Sequence, residues 1–126
     1  MGYIDDIEEK TLDNNNFREV LYTGKHMQLV VVCIKAGEEI GEEIHDHVDQ
    51  FFRVEQGEAK VIIDGKEDIL KEDMVVIVPA GAKHNLINNS DIDLKLYTIY
   101  SPANHPDGTI HKDKAEADKY EEEHHH

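Results

Sequence analysis

Between Glu19 and Tyr100 the chain meets a turn signal roughly every 8–12 residues, and nothing before about residue 112 carries the i, i+3, i+4 apolar stripe of a helix. That punctuation leaves room only for short strands. Met27–Lys35 is rich in β-branched residues and apolar on both faces, as a strand covered on both sides must be. Gln50–Glu55 alternates, with Gln50, Phe52 and Val54 on one face and Phe51, Arg53 and Glu55 on the other. Asp64-Gly65, between Glu58–Ile63 and Glu67–Leu70, is a two-residue hairpin signal. Pro79 stops Met74–Val78, and Asn89-Ser90-Asp91 separates Leu86–Asn88 from Leu94–Tyr100. With Glu19–Tyr22 and Glu42–His47 these segments predict an all-β antiparallel sandwich or barrel of about eight or more strands. Residues 1–18 are expected as a polar arm, loosely attached through Ile4, Ile7 and Leu12 and able to lie along a sheet edge or a partner subunit. The barrel is expected over 19–111. An acidic tail, 112–126, is expected to hold a short exposed helix over Lys112–Glu122 and to end in a tag remnant, His124 to His126.

Charge narrows the partners. Thirteen basic against 28 acidic residues give a net charge of -15, the wrong sign for nucleic acid or an anionic membrane. No apolar run approaches the ~18 residues of a membrane span, and no leader-like segment precedes the strands, which predicts a cytoplasmic protein. Cys33 is the single cysteine and lies in an apolar run, where a buried, inert thiol is expected.

Two stretches carry the chemistry. In Glu43–Gly57 (EIHDHVDQFFRVEQG), His45 and His47 stand two apart in a run that reads as strand, so both imidazoles would share a face and could grip one ion. Gln50, three beyond His47, breaks that parity and rejoins it only if Val48-Asp49 bends or bulges. In Val78–Asn88 (VPAGAKHNLIN), the Pro79-to-Gly81 turn presents His84. Each histidine could equally cap a loop or face solvent. The competing outcome is a single divalent ion held by His45, His47, Gln50 and His84, with Asp49 as an alternative oxygen ligand to Gln50.

These residues resemble the cupin family. Pro79, Gly81, His84 and Asn88 reproduce its second motif, Pro-x-Gly-x-x-His-x-x-x-Asn. His45-x-His47, then Gln50, then six residues, then Gly57 resembles its first. The resemblance covers roughly residues 24–101, and the following tail is similar to small single-domain cupins of a mannose-6-phosphate isomerase-like group. It implies a cupin-type antiparallel β-barrel, a double-stranded β-helix or jelly roll, with one manganese, iron, nickel or zinc ion per chain. Two departures stand out. The gap from His47 to Gln50 is one residue shorter than the family's, and glutamine stands where the family has glutamate. A ligand set without a carboxylate would hold the ion less tightly and leave it a stronger Lewis acid.

The expected function is a metal-dependent enzyme acting on a small polar compound, sugar-like or keto, of isomerase or dioxygenase type. The alternative is a ligand-binding or sensing module without turnover. His105 and His111, which bracket the Pro106-Asp107-Gly108 loop, are expected to face solvent, or else to fold over the barrel mouth as a proton carrier or lid. Tyr97 and Tyr100 fall on opposite strand faces, so one of them faces the core or the site, and parity does not say which. Glu38, Glu39, Glu42 and Glu43 are expected to form a solvated edge that discourages strand pairing. A homodimer is expected, as is general for small cupins.

Overall fold

The computed structural model describes residues 2–123, so the tag-like His124 to His126 lie outside it. After a short helix, α1 (Ile7–Asp13), come ten strands and a closing helix. The strands are β1 (Arg18–Thr23), β2 (Gln28–Ile34), β3 (Glu43–Ile44), β4 (Asp49–Gln56), β5 (Ala59–Ile63), β6 (Lys66–Leu70), β7 (Val75–Val78), β8 (Lys83–Asn88), β9 (Leu94–Ser101) and β10 (Ile110–His111); the helix α2 is Lys114–Glu123. They form two antiparallel sheets, one in the order β10-β1-β2-β9-β4-β7 and the other in the order β3-β8-β5-β6. Between them lies one core. The six-stranded sheet contributes Val30, Val32, Ile34, Phe52, Val54, Leu94 and Leu96, and the four-stranded sheet contributes Ala59, Val61, Leu70 and Leu86. The architecture is that of a jelly roll. Among the described residues, no helix is long and apolar enough to cross a membrane.

Alternation explains the layering. Along β2, Val30, Val32 and Ile34 join the core while Val31 and Cys33 point to the other face, yet these two are also buried. Their cover is the N-terminal segment, for α1 lies against β2, β4 and β9. The arm is therefore docked rather than loose. Asp6 caps α1 by accepting a hydrogen bond from the Glu9 amide at 3.1 Å. At the other end the buried Lys95 ammonium donates to the Leu12 carbonyl, 2.6 Å, and to Asn15 Oδ1, 3.2 Å, which fixes the helix C-terminus to β9.

Turn chemistry sets the strand ends. Asp64 and Gly65 take φ of 48° and 84°, the pair of positive values that a tight β5–β6 hairpin requires. At Gly57, φ is 90° and an added Cβ would stand 3.2 Å from both the Asp93 carbonyl oxygen and Leu94 Cα. No other residue fits there without moving β9. Asn88 is buried where β8 ends: its Nδ2 donates to the Ile34 and Ile92 carbonyls, both at 2.8 Å, and its Oδ1 accepts from the Ser90 amide and hydroxyl. Three strand expectations shift. β3 stops at Ile44 instead of running to His47, β8 begins early enough to contain His84, and Ile110–His111 adds β10 at the sheet edge.

Candidate metal centre

β3 and β8 pair with Glu43 directly opposite His84. Opposed residues in an antiparallel pair project from the same face, so a carboxylate and an imidazole meet. His45 follows two residues after Glu43 and keeps that face. One potential ligand atom from each of Glu43, His45 and His84 lies within 4.8 Å of the others. His45 Nε2 is 3.8 Å from a Glu43 carboxylate oxygen, and the two imidazole centroids are 5.5 Å apart. The His45 carbonyl accepts the Gly81 amide at 2.9 Å, which locks the Pro79–Gly81 turn against β3.

The donor atoms are buried and unanswered. His45 Nε2, His84 Nε2 and Gln50 Oε1 are all shielded from solvent with no hydrogen-bond partner. Leaving a buried polar atom unpaired costs about 1–3 kcal/mol, so the two imidazole nitrogens beside the Glu43 carboxylate, and the buried Gln50 oxygen, call for a ligand. Gln50, only 2% exposed, donates from Nε2 to Thr98 Oγ1 at 3.0 Å and hydrogen-bonds the Tyr100 hydroxyl. Its donors are thus spent on protein groups and its acceptor is left over. One carboxylate, one amide oxygen and two imidazole nitrogens suit a divalent cation of intermediate softness.

The surroundings favour a neutral His84 beside an ionised Glu43. Burial pushes the Glu43 carboxyl up, but the His45 imidazole nitrogen 3.8 Å away and the charge of Arg18 outweigh it and hold the group below its ordinary value. Burial pushes His84 down, against the opposing pull of the Ala82 carbonyl and Glu43. Tyr100 sits with its ring centroid 6.0 Å from that of His45. Burial lifts its phenol well above the usual range, so it stays protonated. Its hydroxyl is 3.2 Å from His105 Nε2. Burial, followed by the charges of Arg18, His111 and His45, pushes His105 down to about 3. A neutral His105 has one accepting ring nitrogen, and in the tautomer that leaves it at Nε2 the phenol donates to it. The buried Gln28 side chain holds this loop in place. It donates to the His105 carbonyl at 2.8 Å, and it accepts the Asn104 and His105 amides at 3.1 and 3.0 Å.

The expected residues therefore separate. His45 and His84 come together with Glu43; Gln50 is buried and bonded to Thr98, and His47 is exposed in the Asp46-His47 turn, outside the cluster. The shared-face argument needed strand geometry through His47, and β3 has already ended. Asp49, weighed as a substitute oxygen ligand, is exposed and accepts the Ala80 amide at 2.9 Å. Glu43, expected on a solvated edge, faces inward. The sequence held a signal for this. From His47 the interval to Gln50 is short by one residue, whereas from His45 it contains four residues, which is where Glu43-x-His45 takes over the paired positions. Tyr100 faces the site, while Tyr97 stacks on Phe51 at 6.0 Å on the other face. His105 and His111, expected at the surface, are both buried.

The comparisons bear on both fold and site. The cupin domain family matches residues 30–100. The uncharacterized protein YrkC of Bacillus subtilis is 46% identical over 121 residues, 91% of this chain and 65% of that protein, so the chain spans just under two thirds of its length. The crystal structure of BH2720 from Bacillus halodurans is 40% identical and superimposes with a TM-score of 0.93 over 94% of this chain and 95% of that one. Mannose-1-phosphate guanylyltransferase of Salmonella montevideo is 36% identical over 80 residues, 64% of this chain but 17% of the enzyme.

Proposed function

The chain belongs to the cupin domain family, and on that footing we propose that it binds one divalent cation through Glu43, His45, Gln50 and His84 and acts on a small polar compound, sugar-like or keto. The observation that carries this reading is the set of buried, unpartnered acceptors beside an ionised carboxylate. A cation bound there would supply Lewis-acid polarisation of a ligand oxygen. Glu43 restores the negative charge that a set of three histidines and a glutamine would have lacked, and this supports firm retention of the ion.

The residues around the cation support proton movement, hence isomerase-type over dioxygenase-type chemistry. Tyr100 keeps its proton at neutral pH and has a neutral acceptor, His105, at 3.2 Å. Such a pair can give a proton on one side and recover it on the other without changing the site's net charge. The partial likeness to an enzyme named for mannose 1-phosphate supports the sugar-like end of the substrate range. Incubating manganese-, iron-, nickel- or zinc-loaded protein with a panel of sugar phosphates and small keto acids tests the reading. Interconversion without oxygen consumption is expected. Oxygen-dependent turnover would make it a dioxygenase, and saturable binding without product would make it a binding module.

The same reading includes a homodimer and a cytoplasmic setting. Ile69, Met74, Val75 and Ile77 are exposed near the free edges of β6 and β7, beside an apolar groove of about 440 Å³, which supports pairing through that side. Light scattering giving a monomer mass at micromolar concentration would exclude it. A buried, unbridged Cys33 supports a reducing compartment.

A further inference from the structure

Arg18 projects from β1 into the space between the sheets, and only 5% of it is exposed. Its Cα stands opposite Val32, a core residue, on one side and His111 on the other. Nη1 lies 3.3 Å from His111 Nδ1. A guanidinium only donates, so His111 accepts at Nδ1 and is neutral. Burial and the Arg18 charge both push its imidazole down, against Glu116 and Glu121. The guanidinium carbon lies 5.3 Å from the Phe17 ring centroid, but Arg18 Nε is buried with no hydrogen-bond partner. Among the described residues no carboxylate comes within ion-pair distance of Arg18. Arg18 shares its strand face with Val20, a residue of the core between the sheets, and its charge is felt there by Glu43, Tyr100 and His105.

A buried guanidinium without a counterion costs several kcal/mol, so a structural arginine is normally found with its donors filled. Glu43 is a carboxylate that feels the Arg18 charge, but on the metal-site reading it is spent on the cation. With a dication bound, one carboxylate faces a dication and a guanidinium, and two positive charges remain uncompensated inside a chain whose overall charge is -15. Simple anions are repelled by the surface and attracted by this interior. A planar fork of N–H donors with a free Nε matches the oxygens of a carboxylate or a phosphate.

We propose that Arg18 is the anion-binding residue of the site, and that the ligand brought to Glu43, His45 and His84 is a small oxyanion bearing a carboxylate or phosphate group. This rests on the metal-site reading and narrows its substrate class to acids and phosphate esters, leaving out neutral sugars. Arg18 lies outside the stretch matched to the family, on β1, so its role belongs to this chain's own construction.

The test uses the full chain without its terminal histidines, labelled with nitrogen-15, both metal-free and loaded with zinc. The probes are inorganic phosphate and pyruvate, each against sodium chloride at matched ionic strength. The Arg18 Nε–H resonance, assigned by its loss in R18K, is expected to move saturably with at least one probe and not with chloride. Whichever probe binds more tightly identifies the phosphate or the carboxylate source. By calorimetry on the zinc form, R18Q is expected to weaken that probe by about tenfold or more and R18K by less, with zinc content unchanged. An Arg18 resonance indifferent to both probes, or an unchanged affinity in R18Q, overturns the proposal. Should R18Q fail to fold, the wild-type titration and R18K decide it. Failure of the metal reading shows separately, as absence of zinc from the wild type, and the Arg18 response in the metal-free protein then judges the anion site by itself.

Discussion

Glu43 and His47 stand two residues on either side of His45, yet only Glu43 enters the cluster. The difference is conformational. Strand alternation holds from Glu43 through His45 and is lost in the Asp46-His47 turn. Residue type alone favoured the histidine, which is why the sequence pointed to His47 and left Glu43 on an expected solvated edge, although the spacing from His45 to Gln50 carried a signal for it. Glu43→Ala should therefore lower metal affinity at least about tenfold, as loss of a charged ligand does, while His47→Ala should bind as the wild type does. Competition against a chelator measures both, and equal losses in the two variants would contradict the geometry. Gln50→Glu should tighten binding, because a second carboxylate joins the set. It should also destabilise the metal-free protein, because a buried charge then lacks a counterion. An affinity unchanged or weaker in that variant would remove Gln50 from the ligand set.

The strands of the core were legible because alternation and turn residues agree there. Asp64-Gly65 turns as its composition dictates, and Gln50, Phe52 and Val54 share the inner face. The shorter elements were not. α1 buries only Thr11 and has no apolar stripe; its signal was the Asp6 cap, and what holds it is Lys95, more than eighty residues away in sequence. β10 is two residues long and exists by pairing with β1. Long-range contacts of that kind leave no local trace. Gly57, the last residue of the first motif, has a backbone reason for being glycine. Gly57→Ala should cost about 1–3 kcal/mol through positive φ and the 3.2 Å approach to β9. Urea unfolding of the metal-free protein measures it, and a loss below about 0.5 kcal/mol would show that β9 yields freely.

At the scale of the whole molecule, burial lowers His84, His105 and His111, and stability must follow pH accordingly. His105, held down to about 3, is neutral when folded but takes up a proton near its ordinary 6.5 when unfolded. The unfolded chain binds more protons between those values, so stability is full above about pH 6.5 and falls as the pH drops toward 3. At about 1.4 kcal/mol per unit the loss reaches at most roughly 5 kcal/mol, a large part of what a domain of this size has. His84 and His111, also lowered, add in the same direction. His105→Gln should flatten the slope of stability between pH 4 and 6, measured by denaturant melts of the metal-free protein, and an unaltered slope would mean that His105 titrates normally. β3 and β8 supply a carboxylate facing an imidazole, and the buried, unpartnered nitrogens of His45 and His84 beside them ask for a cation. Elemental analysis of the full chain freed of its terminal histidines, after reloading with manganese, iron, nickel or zinc and removal of excess ion, measures this directly. About one equivalent per chain is expected, falling to near zero in His84→Ala; less than about a tenth of an equivalent in the wild type for every metal would contradict it.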